Sequence, residues 1–331
     1  MNLQAASQAT SNVPVVEVPG APMPRGGCAQ WLSSGDGTRL RMLMWSSEKA
    51  GIQQPRGSVF LFSGRTEYAE KYFEVVGELV SRGFAVAIVD WRGQGLSQRA
   101  LSDARKGHVK DFTEFDMDCE AFMAQVGVAM PKPWIGLAHS MGGNIMMRAL
   151  HDHPDRFAAA VLTAPMLGLN VGGPLAAKLV EFIAKLGSKI GLAHKYLPGS
   201  NGKANDEVPF AQNVLTHDHV RYALGQAQIR QLPALGLGGA TYGWLAAGIR
   251  SITQIMQPDY LAAIKAPLCI FIAEEDALIS RSSLEAAVEG VGHGQSVFMP
   301  GSRHEILIET DDIRARFWSH FDEFMARIAP L

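Results

Sequence analysis

The segment Ala138-His139-Ser140-Met141-Gly142-Gly143 sets one serine among small residues, between an apolar run over 134–138 and a helical pattern over 141–151. A serine at a strand-to-helix turn has its hydroxyl lifted above the C-terminal edge of a sheet, at the positive end of the following helix. That setting suits nucleophilic attack on a carbonyl. Small neighbours are required because the backbone at the turn is strained and strand and helix approach closely. Ala138 stands where the commonest form of the motif has glycine, and it keeps the steric requirement.

A serine hydroxyl attacks only when a base takes its proton, and the base must be held in one tautomer by an acid. For a serine at such a turn the chain order is serine, acid, histidine. Downstream, the apolar run 268–273 ends in Glu274-Glu275-Asp276, and the run 296–299 leads into Pro300-Gly301-Ser302-Arg303-His304-Glu305. Ends of parallel strands are where reactive groups gather. His304 is therefore the expected base and Asp276 the expected acid, with Glu275 as the alternative and Glu274 as a weaker one. The oxyanion of a tetrahedral intermediate needs donors fixed in advance. The backbone N–H of Met141 is the first expected donor. The second is the Arg65 N–H, in the loop Ser63-Gly64-Arg65-Thr66 after the run 58–62, where Gly64 lets substrate and backbone come close. Losing one such donor typically costs about 3 kcal/mol of transition-state stabilisation.

Other chemistries are less well supported. Ten histidines are present, and the pairs His151/His153 and His217/His219 have a spacing that could hold metal but lack a third clustered ligand. His139 should point into the turn rather than reach the serine hydroxyl. Gly93-Gln94-Gly95 lacks the third glycine and the helix of a dinucleotide loop, and there is no P-loop. No metal and no cofactor are expected. Three cysteines, Cys28, Cys119 and Cys269, far apart and in no ligand spacing, suggest a reducing compartment. Thirty basic against 32 acidic residues, a formal charge of -2, leave no electrostatic footprint for nucleic acid. With 47% hydrophobic residues in a 331-residue chain, disorder is excluded for most of it.

The elements that must position these groups follow from periodicity. Strands are expected over 38–45, 58–62, 84–89, 134–138, 158–162, 268–273 and 296–299. Helices are expected over 70–82, 112–128, 141–151, 282–288 and 311–328. Strand–helix alternation implies an α/β protein whose mostly parallel sheet carries helices on both faces. The alternation stops over 168–257, a helical, Gly-rich stretch that reads as a cap inserted over the sheet. The core is then 29–167 and 258–331, and residues 1–28 read as a loose arm. Within the cap, Leu175, Leu179, Phe182, Ile183, Leu186 and Ile190 form one face of a helix and Lys178, Glu181, Lys185 and Lys189 another. That apolar face is expected to dock on the sheet, with a bilayer surface as the alternative. The uncharged stretch 232–249 reaches the length of a marginal membrane span, but Pro233 and five glycines argue against one. Its Tyr242 and Trp244 are candidates to line an acyl pocket.

Three segments carry a family resemblance: Ala138-His139-Ser140-Met141-Gly142-Gly143, Asp90-Trp91-Arg92-Gly93-Gln94-Gly95-Leu96-Ser97, and His304-Glu305. They resemble the serine α/β-hydrolase superfamily, and within it the bacterial lysophospholipase and monoacylglycerol lipase group, over about 30–167 and 258–331. Gly64-Arg65-Thr66-Glu67-Tyr68, followed by Lys71-Tyr72, is similar to the lysophospholipase branch. Ser63 stands where monoacylglycerol lipases have histidine. The resemblance implies the α/β-hydrolase fold, Ser140, Asp276 and His304 as the triad, and hydrolysis of an acyl ester or lysolipid. Peptidase, C–C hydrolase and acyltransferase chemistry use the same triad and remain alternatives, with a non-catalytic binding protein behind them. The expected compartment is the cytoplasm or the inner face of the membrane, with the cap as the contacting part. In the cap, eight Lys/Arg face four Asp/Glu, a bias that fits a phosphate-bearing or membrane-surface substrate.

Overall fold

The computed structural model describes residues 13–204 and 207–330. Eight strands form one sheet: β1 (Cys28–Ser33), β2 (Arg39–Trp45), β3 (Gly57–Phe62), β4 (Phe84–Val89), β5 (Trp134–His139), β6 (Ala159–Thr163), β7 (Leu268–Ala273) and β8 (Gly294–Met299). Their spatial order is β1-β2-β4-β3-β5-β6-β7-β8. β1 and β2 run antiparallel to their neighbours and β3 to β8 are all parallel. Ten helices accompany the sheet among the described residues: α1 (Ser47–Ala50), α2 (Phe73–Ser81), α3 (Thr113–Val126), α4 (Met141–Asp152), α5 (Pro174–Lys189), α6 (His219–Gln231), α7 (Tyr242–Ile255), α8 (Pro258–Ala263), α9 (Arg281–Gly290) and α10 (Asp311–Ile328).

β3, β4 and β7 are buried along their whole length, as uninterrupted apolar runs demand when both sheet faces are covered. Alternate side chains serve the two faces. Phe60, Phe62, Ala87 and Val89 meet α3 and α4 through Phe115, Phe122, Ile145 and Met146. Val59, Leu61, Val86 and Ile88 meet α2 and α10 through Val76, Leu79, Phe317 and Phe321. The parallel strands β3, β5, β7 and β8 consequently end on one edge, and the segments that follow them carry every residue singled out above for catalysis.

Two expectations are corrected. Residues 1–12 of the expected arm lie outside the described residues, but 13–27 are bound to the core. Val16 and Val18 are buried against Tyr68, Ile229 and Leu235, the Val16 N–H donates to Glu70 Oε1 at 3.2 Å, and the Trp45 indole donates to the Pro24 carbonyl at 2.9 Å. The apolar Val13-Pro14-Val15-Val16 run explains this. Second, α5 does not lay its apolar face on the sheet. Leu175 is 84% and Phe182 61% exposed, and Leu179, Leu186 and Ile190 also face outward. The face turned to α7 is small: Ala184 is buried, and a Cβ on Gly187 would lie 2.4 Å from the Tyr242 ring. Small residues permit close helix contact, so the bulky row is left outside.

The C-terminal helix of the expected cap, α7, rests directly on α4. The Ser251 hydroxyl donates to Asn144 Oδ1 at 2.7 Å, and Asn144 Nδ2 donates to the Met166 carbonyl at 2.9 Å.

Under the loop after β3 lies a fully buried ion cluster. Arg41 on β2 donates to Glu70 Oε2 at 2.6 Å and to Asp90 Oδ2 at 2.8 Å, and it also binds the Pro14 carbonyl. Asp90 in turn accepts the Ala69 N–H at 2.9 Å. One guanidinium thus fixes β2, the end of β4 and the helical turn Ala69–Tyr72 together. Breaking such a cluster strands unpaired carboxylates in the interior. Arg41→Met is expected to lower unfolding free energy by about 3–5 kcal/mol, read from urea denaturation; a change below 1 kcal/mol would contradict the structural role.

Candidate active site

Ser140 sits between β5 and α4 with φ 51° and ψ -116°, a backbone state side-chain-bearing residues seldom adopt. Three contacts hold it there. Its N–H donates to the Thr163 carbonyl of β6 at 3.1 Å, and its own carbonyl accepts the Met166 N–H at 2.8 Å and the Gly143 N–H at 2.9 Å. Gly142 and Gly143 make the turn sterically feasible. A Cβ on Gly142 would lie 2.0 Å from the Phe62 carbonyl oxygen, and one on Gly143 2.5 Å from Pro165. The start of α4 is thereby pressed against the end of β3. Met141, the first helical residue, has an N–H without an intrahelical acceptor, and it lies beside the β3 loop.

Asp276, just past β7, and His304, in the loop after β8, come together: His304 Nδ1 lies 2.8 Å from Asp276 Oδ2. Both side chains are buried. The other Asp276 oxygen accepts the N–H groups of Leu278 and Ile279 at 2.8 and 3.0 Å. Burial alone would raise the Asp276 carboxyl, but His304 and these two amides outweigh it and hold it below the ordinary value. With Nδ1 donating to Asp276, Nε2 of His304 is left unprotonated in the neutral ring, free to accept a proton. The alternatives lie elsewhere. Glu275 is half exposed and 3.3 Å from His217, and Glu274 accepts the Gly301 N–H at 2.7 Å.

His139 is turned away from the serine side chain, with Nδ1 3.1 Å from both the Thr163 carbonyl and hydroxyl. Its ring lies 4.8 Å from that of His304, so His304 stands directly beside the residue preceding Ser140. Burial, with help from His304 and Lys71, pushes His139 down to about 4. It is therefore a neutral wall of the site at physiological pH. Among the histidine pairs, His217 binds Glu309 at 2.9 Å, His153 binds Glu120 at 2.7 Å, and His151 stacks on Tyr260 at 3.6 Å.

The loop 63–67 after β3 is ordered from beneath. Gly64 donates its N–H to Glu67 Oε2, and Gln94 Nε2 donates to the Gly64 carbonyl at 2.7 Å and the Glu67 carbonyl at 3.1 Å. The Gly64 amide is thereby committed to Glu67, and the Arg65 amide, the expected donor, is the next along the loop. The Arg65 side chain leaves the site, lying 4.9 Å over the Trp244 ring. Trp244 also meets Phe112 at 6.1 Å, which places it at the core–cap seam near the loop. Tyr242 packs instead against α5 at Gly187.

A buried charge network escaped the sequence reading. Lys71 Nζ bridges Glu67 Oε1 at 2.9 Å and Glu305 Oε1 at 2.5 Å, while the Tyr72 hydroxyl donates to Glu67 Oε2 at 2.5 Å. Despite its burial, Glu67 is drawn down to about 2 by Lys71 and His139. Burial lifts Glu305 above the ordinary carboxylate value, with the charge of Glu67 adding to the rise against Lys71. Glu305 follows His304 and Glu67 holds Gly64, so one ammonium ties the loop of the expected base to the loop of the expected oxyanion donor. The only sequence trace was the Glu67/Lys71 spacing of four within a segment noted for resemblance alone.

Residues 53–311 match the Hydrolase_4 family model, described as serine aminopeptidase, S33. Lysophospholipase L2 of Escherichia coli (strain K12) is 33% identical over 270 residues, covering 78% of this chain and 76% of its own. The monoacylglycerol lipase of Mycolicibacterium smegmatis is 27% identical over 301 residues, covering 86% of this chain and 94% of its own. Among solved structures, a soluble variant of monoglyceride lipase from Saccharomyces cerevisiae, in complex with a substrate analog, is 19% identical with a TM-score of 0.68. It covers 91% of this chain and 96% of its own.

Removing the Lys71 bridge should loosen both loops. Lys71→Met is expected to lower kcat on a chromogenic ester about 10–100-fold, as sub-ångström misplacement does, with KM changed far less and Lys71→Arg recovering most of the loss. Steady-state kinetics decide; an unchanged kcat in Lys71→Met would contradict the positioning role.

Proposed function

The chain belongs to the serine aminopeptidase S33 family of α/β-hydrolases, and from that membership we propose that it hydrolyses the carboxylic ester of single-chain acyl lipids, as a lysophospholipase or monoacylglycerol lipase does. The observation that carries the reading is the Asp276–His304 pair beside the strained Ser140, buried at the ends of three parallel strands. His304 Nε2 takes the Ser140 proton as Oγ attacks the ester carbonyl. The carbonyl oxygen becomes an oxyanion received by the Met141 and Arg65 N–H groups. Asp276 supports the imidazolium that forms. Collapse of the intermediate expels the glycerol-side alcohol, which takes the proton from His304, and leaves an acyl group on Ser140. Water, deprotonated by the same imidazole, then releases the fatty acid.

Residues 168–257 act in this reading as the cap over the 29–167 and 258–331 core, with Trp244 lining the acyl site and Tyr242 bracing α5 behind it. The substrate resides in membranes or micelles, and α5 supplies a surface for reaching it. Its exposed Leu175, Leu179, Phe182 and Ile190 alternate with exposed Lys178, Lys185 and Lys189, the composition of a helix lying in an anionic interface. No helix among the described residues is long and apolar enough to cross a membrane, so contact would be peripheral.

Hydrolysis of lysophosphatidylcholine and 1-monoacylglycerol, followed by fatty-acid release, tests the activity, with Ser140→Ala as the inactive and folded control. Turnover of aminoacyl anilides with no turnover of either lipid or of chromogenic esters would overturn the reading in favour of a peptidase. Burying two large apolar side chains contributes about 3–6 kcal/mol. The double variant Leu179→Asp/Phe182→Asp is accordingly expected to weaken binding to phosphatidylglycerol-containing vesicles at least about tenfold, measured by co-sedimentation, with hydrolysis of p-nitrophenyl acetate unchanged. Equal vesicle binding would remove α5 from the account.

A further inference from the structure

Three arginines outside the triad meet at one short stretch of the core–cap seam. Arg65 Nη2 donates to the Gly238 carbonyl at 2.9 Å. Arg99 Nη2 donates to the Ala234 carbonyl at 2.7 Å and the Gly95 carbonyl at 2.9 Å. Arg105 Nη1 comes so near Gly236 that a Cβ there would lie 2.4 Å from it, and the Arg105 carbonyl accepts the Gly238 N–H at 2.8 Å. Three guanidinium heads thus converge on residues 234–238, where Gly236 makes room for that of Arg105.

Their partners are unusual for cations so enclosed. Arg92, Arg148 and Arg221 each grip a carboxylate. The guanidinium groups of Arg65 and Arg99 donate to neutral carbonyls instead. Among the described residues none of the three converging arginines forms an ion pair. Each also has a nitrogen sealed from solvent without an acceptor: Nε of Arg65, Nη1 of Arg99 and Nη1 of Arg105. An enclosed charged donor left unpaired is expensive, and three around one segment call for an anionic partner. Burial, with the neighbouring Arg105 charge adding at Arg99, draws both Arg65 and Arg99 down to about 10. Arg65 and Arg99 remain cations at neutral pH. Planar guanidinium forks bind phosphate oxygens two at a time, which suits them to this partner above others.

We propose that Arg65, Arg99 and Arg105 form an anion subsite that takes the head-group phosphate of a lysophospholipid while its acyl ester lies at Ser140. The inference rests on the ester-hydrolase reading and narrows its substrate. Arg65 links the two places, because its amide is the proposed oxyanion donor and its guanidinium belongs to the subsite. Its side chain spans as many bonds from amide nitrogen to guanidinium carbon as glycerol places between an sn-1 carbonyl carbon and phosphorus. The phosphate would displace the carbonyls of 234–238, so the cap segment shifts as the head group enters.

The test compares lysophosphatidylcholine with a 1-monoacylglycerol of the same chain, using Arg99→Gln and Arg105→Gln in the full chain. Each variant is expected to lower kcat/KM for the lysophospholipid about tenfold, the loss of about 1.4 kcal/mol, while monoacylglycerol hydrolysis stays within about twofold. Glycerophosphocholine should compete with the lysophospholipid in the wild-type protein, which needs no variant to fold. A parallel fall on both substrates would mean the arginines only staple the cap, and no fall on either would mean they bind nothing; both results overturn the subsite. Competition by inorganic phosphate without competition by glycerophosphocholine would assign the site to free phosphate and also overturn it. Should neither lipid be hydrolysed while p-nitrophenyl esters are, the lipid reading itself fails. In that case, calorimetric titration of glycerophosphocholine into wild type and Arg105→Gln decides the subsite separately: binding weakened in the variant supports it, and absent or equal binding overturns it.

Discussion

The backbone of Ser140 is the constraint on which the rest of the molecule turns. A residue with φ 51° and ψ -116° is held only where its surroundings over-determine it. Here β6 supplies the Thr163 carbonyl, the segment after it supplies the Met166 N–H, and β3 supplies a carbonyl against which Gly142 lies flush. Each restraint comes from a strand adjacent to β5 in the parallel sheet or from its loop. A parallel sheet with two covered faces is therefore the instrument that keeps the hydroxyl presented, and the two aromatic-rich cores are what keep that sheet rigid.

Two ion clusters extend the same control to the groups around the serine. Arg41, with Glu70 and Asp90, fixes the turn Ala69–Tyr72 from below. That turn carries Lys71, which joins Glu67 under the oxyanion loop to Glu305 beside the base. Position is one consequence and field is another. Glu67 is drawn down to about 2 and His139 to about 4, so the floor of the site holds a carboxylate and a neutral ring. Asp276 holds the His304 ring from one side and the His139 ring lies against it from another.

The candidate constellation could be named from the sequence because its parts are local signals at strand ends: a small-residue turn at Ser140, and carboxylates and a histidine just past β7 and β8. β7 and α10 coincide with the expected spans for the same reason, since continuous apolar runs and 3.6-residue periodicity are read directly. Asp276 was preferred over Glu275 from the sequence, and in the structure that one residue of difference decides which carboxylate faces His304 and which faces His217. β1 was missed because an edge strand with a single buried side chain, Leu32, shows no alternation. The outward face of α5 could not be anticipated, since an amphipathic pattern states that two faces differ and not which one meets protein. Ala184 and Gly187 held that information, but small residues carry little weight in a hydrophobic periodicity. Buried Lys71 and the three arginines of the seam were hidden for a related reason: charge in a sequence is read as surface by default.

A covalent bond to one oxygen, Ser140 Oγ, is the most direct sign of the proposed chemistry. After reaction with a fluorophosphonate, proteolysis and peptide mass mapping are predicted to find a single phosphonyl adduct, on Ser140. Its formation should be slowed by orders of magnitude in His304→Ala and absent in Ser140→Ala. No adduct in the folded wild-type protein, or an adduct on another residue with Ser140 unmodified, would contradict it.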